Sequence, residues 1–96
     1  MSERARGVFA ISVAAELVQM EVQNLRVYER RGLLTPDRSA GGTRRYSRAD
    51  IDTLHRIRDL LGEGLNLEGI RRVLALEAEV ASLRRQLAAQ PKRPLT

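Results

Sequence analysis

Ninety-six residues with 43% apolar side chains make one small domain with an appendage, and only Phe9, Tyr28 and Tyr46 supply aromatic bulk. There is no cysteine and a single histidine, His55, which excludes disulfides, thiol redox sensing and a metal site built without help. The formal net charge of +5 lies wholly between Arg26 and Arg48, where seven arginines stand against two acids; a neutral scaffold with one basic segment is the electrostatic footprint of a polyanion partner.

Along the chain, Met1 to Gly7 is charged and leads into no apolar signal segment. Residues 1–8 are expected to be a flexible N-terminus. No apolar run approaches the roughly 18 residues a membrane span needs, so the reading is cytoplasmic, at the nucleoid. Phe9-Ala10-Ile11 is short and apolar, a candidate strand. Ser12 suits the N-cap of a helix over Val13 to Val18. Gln19-Met20-Glu21 breaks that pattern, and a second helix is expected from Val22 to Arg31, stopped by Gly32. Two short helices about three residues apart describe a helix-turn-helix.

Leu33 to Pro36 reads as extended, Asp37 to Gly42 as a turn, and Thr43 to Tyr46 as a returning strand, together a hairpin or wing. Ser47-Arg48-Ala49-Asp50 has capping-box spacing, and the helix it opens carries Ile51, Leu54, Ile57 and Leu61 on one face. Gly62-Glu63-Gly64 ends it. Asn66 caps a last helix over Leu67 to Ala89, stopped by Pro91, with Pro91 to Thr96 as a frayed tail. In this helix Val73, Leu76, Val80, Leu83 and Leu87 are spaced 3, 4, 3, 4, a heptad seam. Its first part is expected to pack on its own domain. Beyond Leu76 no further core sequence is left to cover the seam, so Leu76, Val80, Leu83 and Leu87 are read as dimerisation residues and 76–90 as a coiled-coil dimerisation helix.

The second helix gathers Gln23, Arg26, Val27 and Arg30 on one face, with Asn24 beside it, while Leu25 and Tyr28 turn inward. Such a face suits a major groove: glutamine can bond adenine, arginine guanine, and valine a thymine methyl. The plain alternative is a solvated polar face. The wing weighs against it, because Arg44 and Arg45 follow Gly41-Gly42 and alternate across the hairpin, so that at least one points at a phosphate. Tyr46 is expected to pack its ring under the wing with its hydroxyl free for a phosphate. Arg48, in the first turn of a helix, opposes the helix dipole, a small cost that an outside anion would offset. The candidate DNA-binding residues are thus Gln23, Asn24, Arg26, Val27, Arg30, Arg44, Arg45, Tyr46 and Arg48. No catalytic set is present: there is no His pair, no phosphate-binding glycine loop, and Asp50 and Asp52 are two apart on a helix and do not face each other. His55 reads as a surface histidine, and neither metal nor cofactor is expected.

Three segments, Leu25 to Pro36, Gly42 to Ser47 and Gly64 to Ile70, occur in order at the spacing of the MerR family of transcription regulators, whose signature they resemble (LRYYER-GLL-P, GYR-Y, GFSL-EI). The resemblance covers Ile11 to about Leu87. Within the family, Ile11 to Leu17 and the Gly-Gly-x-Arg-Arg-Tyr-Ser wing are most similar to HspR-type heat-shock repressors. It implies a mainly α fold, a winged helix-turn-helix over 9–75 with a small β wing and a C-terminal dimerisation helix. It also implies a homodimer joined by an antiparallel coiled coil on a pseudo-palindromic promoter site in double-stranded DNA, with Arg26 and Arg44 at the family's phosphate-binding positions and Gln23 and Asn24 at its recognition positions. HspR-type members repress and use a chaperone corepressor; an effector-less activator, or a module acting through its coil on a protein partner, are the alternatives. Three departures stand out: Val27 where the family has a tyrosine, Glu21 in place of a serine cap, and Thr43 in place of the wing tyrosine. Effector-sensing members use a cysteine-bearing segment beyond the coil, which is not expected here.

Overall fold

The computed structural model describes residues 3–90, and the tail expected at Pro91 to Thr96 lies outside the described residues. After a 3-10 turn at Glu3–Ala5, the elements are β1 (Gly7–Phe9), α1 (Ile11–Val18), α2 (Val22–Arg30), β2 (Asp37–Arg38), β3 (Arg44–Ser47), α3 (Arg48–Gly62) and α4 (Leu67–Ala89). The fold is mainly helical with a three-stranded antiparallel sheet in the order β1-β3-β2. Gly7 and Val8, expected in a flexible terminus, are instead part of β1. Gly7 pairs with Ser47, and a Cβ at Gly7 would come within 2.6 Å of the Arg45 carbonyl, so only glycine allows the strand to lie this close.

The core is built by Ala14, Ala15 and Val18 of α1, Leu25 and Tyr28 of α2, Leu33 and Leu34 of the extended link, Tyr46 of β3, Leu54, Ile57 and Leu60 of α3, and Ile70 of α4. Leu60 is the third buried residue of α3; Leu61, which the sequence pattern favoured, faces solvent. Both fit a period of 3.6, and the elements packed against α3 choose between them.

Helix ends explain where the elements turn. α1 begins at Ile11 with Ala10 as its N-cap and no side-chain cap, so Ser12 lies inside the helix rather than at its start. Its C-cap, Gln19, adopts a left-handed conformation (φ 55°), and Met20 N–H donates to the Ala15 carbonyl at 3.0 Å, closing the end tightly enough for α2 to begin three residues later. The Arg58 guanidinium of α3 donates to the Val18 carbonyl at 3.1 Å, placing a cation on the negative end of α1 and tying the two helices together. α2 starts at Val22 with Glu21 as an N-cap that makes no side-chain bond, and ends before Gly32 at φ 77°. The capping box at α3 is complete: Asp50 N–H donates to Ser47 Oγ and Ser47 N–H to the Asp50 carboxylate, both at 2.9 Å. Asn66 caps α4 through Gly69 N–H at 2.8 Å.

α4 is one uninterrupted helix of 23 residues, about 34 Å long at 1.5 Å per residue. Ile70 alone of its side chains is fully buried, with Leu67, Val73 and Leu74 packed partly on the core. Arg56 of α3 grips Glu77 through Nε (3.0 Å) and Nη2 (2.7 Å), fixing the line along which the helix leaves the domain. Leu76, beside that clamp, and Val80, Leu83 and Leu87 beyond it are 44–69% exposed. The molecule is accordingly long, 59 × 36 × 20 Å.

Candidate nucleic-acid interface

The inner face of α2 turns toward α1 and the core, where Leu25 and Tyr28 are buried. The opposite face carries Gln23, Asn24, Arg26 and Arg30, all exposed, and none of their side chains has an ion-pair or hydrogen-bond partner among the described residues. Val27 is only half outward; part of its surface packs against the core, so it offers a narrower apolar contact than a free valine would.

The wing stands beside this helix. Asp37 pairs with Arg45 and Arg38 with Arg44 across β2 and β3. Its turn is closed by Ser39 N–H to the Thr43 carbonyl and Gly42 N–H to the Ser39 carbonyl, both 2.8 Å, with Gly42 at φ 83°, a conformation that favours glycine. Asp37 also accepts from Gly7 N–H at 3.0 Å, which joins the outer strands across the top of the sheet.

The basic residues divide into two kinds. Arg26, Arg30, Arg31 and Arg45 make no ion pair among the described residues, and Arg48 lies 5.8 Å over the Phe9 ring in a cation–π contact while staying exposed. Arg38 and Arg44, by contrast, are bonded to one carboxylate, that of Glu29 near the end of α2. Arg38 donates from Nη2 to Glu29 at 2.7 Å and from Nη1 to the Gly42 carbonyl at 3.1 Å. Arg44 donates through Nε, leaving its two Nη groups without a partner among the described residues, and the bond to Glu29 raises the pKa of the guanidinium further. Sequence reasoning missed both Glu29 and Arg38. The available signal was an acid inside the one basic segment, four residues from Leu25 on the helix facing the wing.

Tyr46 differs from expectation. Its side chain is completely buried, its hydroxyl has no hydrogen-bond partner among the described residues, and burial pushes the phenol pKa up. A phosphate cannot reach it on this surface, so Tyr46 belongs to the core beneath the wing and not to the contact face. His55 is exposed on α3. Among the described residues no group of three or more metal-ligating side chains converges, and no helix is long and apolar enough to cross a membrane.

A helix-turn-helix with its second helix outward and basic, flanked by a two-stranded wing, defines a winged helix-turn-helix domain of the DNA-binding class. Residues 9–77 match the MerR HTH family regulatory protein, and the chain belongs to that family, whose members bind DNA and are regulators rather than enzymes. It is 49% identical over 84% of its length to the putative heat shock protein HspR of Streptomyces coelicolor, covering 54% of that protein. It is 38% identical over 77% of its length to the HTH-type transcriptional regulator GlnR of Bacillus anthracis, covering 57% of it. The chain thus spans about half the length of the curated relatives it matches. Among solved structures it superposes on the transcription regulator PbrR691 of Ralstonia metallidurans, solved with lead(II), with a TM-score of 0.68 at 27% identity, covering 84% of this chain and 76% of that one.

Proposed function

We propose that this chain is a homodimeric, sequence-specific DNA-binding regulator that holds a pseudo-palindromic promoter site in the cytoplasm and represses transcription. The observation that carries the proposal is the outer face of α2, where Gln23, Asn24, Arg26 and Arg30 are exposed and uncommitted beside a basic wing. Arg26, Arg44, Arg45 and Arg48 supply phosphate contacts that set position. Gln23, Asn24 and Arg30 read base edges, with Val27 available to a thymine methyl.

The bare ridge on α4 supports dimerisation. Its spacing, Leu76-Val80-Leu83-Leu87, reads the same in both directions. Antiparallel pairing therefore sets Leu76 of one protomer against Leu87 of the other and Val80 against Leu83. Two such domains on one coil present two recognition helices to two half-sites. The likeness to HspR-type repressors supports repression and a chaperone corepressor; capture of the chaperone by the chain in the absence of nucleic acid tests that partner.

Selection of duplexes from a random pool, followed by affinity measurements across salt, tests the function. Affinity should fall by about 0.9 log unit per phosphate contact for each log unit of salt. Arg44→Ala should weaken binding to all sequences alike, and Gln23→Ala should change base preference. An affinity that does not depend on salt contradicts the reading. The position of the selected site relative to the promoter elements decides repression against activation.

A further inference from the structure

We propose that Glu29 is a specificity-determining residue of this interface: it neutralises Arg38, aims Arg44, and so restrains the wing from gripping phosphate indiscriminately. The inference rests on the DNA-binding function proposed above. Glu29 lies near the C-terminal end of α2, where a carboxylate opposes the helix dipole, and it sits inside a surface that should meet a polyanion. On both counts its charge is unfavourable. Its side chain is nevertheless well covered, only 17% exposed, and it receives one arginine from each strand of the wing.

The two arginines are not used alike. Arg38 spends one Nη on Glu29 and the other on the Gly42 carbonyl, so its guanidinium ties the recognition helix to the wing turn and its charge is answered internally. Arg44 gives only Nε to Glu29, and its two Nη groups remain presentable in one fixed direction. A wing locked this way fits a duplex whose groove matches its pose. Binding to arbitrary DNA depends on phosphate charge alone and loses the contribution of Arg38. Affinity for random sequence is sacrificed, and the ratio of specific to non-specific binding rises.

The test uses a selected duplex and a scrambled duplex of equal length, with anisotropy titrations across salt on the wild-type chain, Glu29→Gln, and Glu63→Gln as a control of equal charge change on the exposed α3–α4 turn. The expected result for Glu29→Gln is about tenfold tighter binding to the scrambled duplex near 0.1 M salt, a salt slope steeper by about 0.9, and a smaller gain on the selected duplex. Glu63→Gln should show none of this. A merely structural role would lower the melting temperature and weaken both duplexes together; that result, or an unchanged scrambled-duplex slope, overturns the proposal. Should Glu29→Gln fail to fold, Arg38→Gln decides: it should leave the scrambled-duplex slope unchanged where Arg26→Gln lowers it by about 0.9, and equal losses overturn the proposal. A wild-type chain that binds neither duplex overturns the regulator function and this inference with it, whereas wild-type selectivity that survives intact in Glu29→Gln overturns this inference alone.

Discussion

The two halves of α4 carry the same apolar spacing and opposite burial. Ile70 is fully buried and Val73 and Leu74 are partly covered, whereas Leu76, Val80, Leu83 and Leu87 stand 44–69% exposed on the same continuous helix. Periodicity encodes the stripe, and what lies opposite decides its use. The inner half meets α3 and the core of its own chain, while the outer half extends past the Arg56–Glu77 clamp, where the described chain has nothing to lay against it. An apolar ridge held straight beyond a folded domain is costly in water unless a second ridge covers it.

The sharpest way to break this contrast is truncation on each side of the clamp. Ile70→Ala opens a cavity in a small core and should cost about 3 kcal/mol in chemical denaturation, a large fraction of the stability of a domain this size. Leu83→Glu should leave the helical signal of the domain in place yet shift sedimentation from dimer to monomer by more than about tenfold in dissociation constant, since a buried carboxylate in a coil costs over about 1.4 kcal/mol. If Leu83→Glu unfolded the domain as Ile70→Ala does, the two halves would not be distinct.

Smaller effects refine the comparison. Ser47→Ala removes one arm of a reciprocal cap at a nearly buried position and should lower stability by about 1 kcal/mol without touching the dimer equilibrium. At the clamp itself, the Arg56 guanidinium holds the Glu77 carboxyl below the usual carboxylate range. A carboxyl whose folded pKa is depressed contributes stability above its unfolded pKa and loses it as pH falls through the folded value. The angle between α4 and the domain should therefore loosen in acid, and Glu77→Gln should flatten that part of the acid dependence. The smallest expected change is Gln19→Gly, which relieves a left-handed non-glycine residue between α1 and α2 and should raise stability by up to about 1 kcal/mol.

How much of this was legible in the sequence depended on the range of the physics. The capping box at Ser47 and the Asn66 cap could be read directly because a cap needs only spacing over one turn. Both helices of the helix-turn-helix and the returning strand of the wing followed from turn residues and local apolar pattern, but the first wing strand falls at Asp37–Arg38, which were expected in the turn, and not at Leu33 to Pro36. The start of α1 did not, because Ala10 serves as an N-cap without a side-chain bond, leaving no local mark, while Ser12 imitated one. The choice of Leu60 over Leu61, the concealment of the Tyr46 hydroxyl and the convergence of Arg38 and Arg44 on Glu29 all depend on which surfaces meet after folding. Of the candidate contact residues, those on α2 appear where the helix period placed them, with Val27 turned partly inward, and those on the wing needed the tertiary structure to be sorted.

Hydroxyl-radical footprinting of a selected duplex, with the wild-type chain and with Leu83→Glu, tests most directly whether paired domains grip DNA through α2 and the wing. The wild-type chain should protect two symmetric patches of backbone about one helical turn, or a multiple of it, apart, and the variant should lose both at the same concentration. A single protected patch that survives Leu83→Glu, or protection that is indifferent to Arg26→Ala, would contradict it.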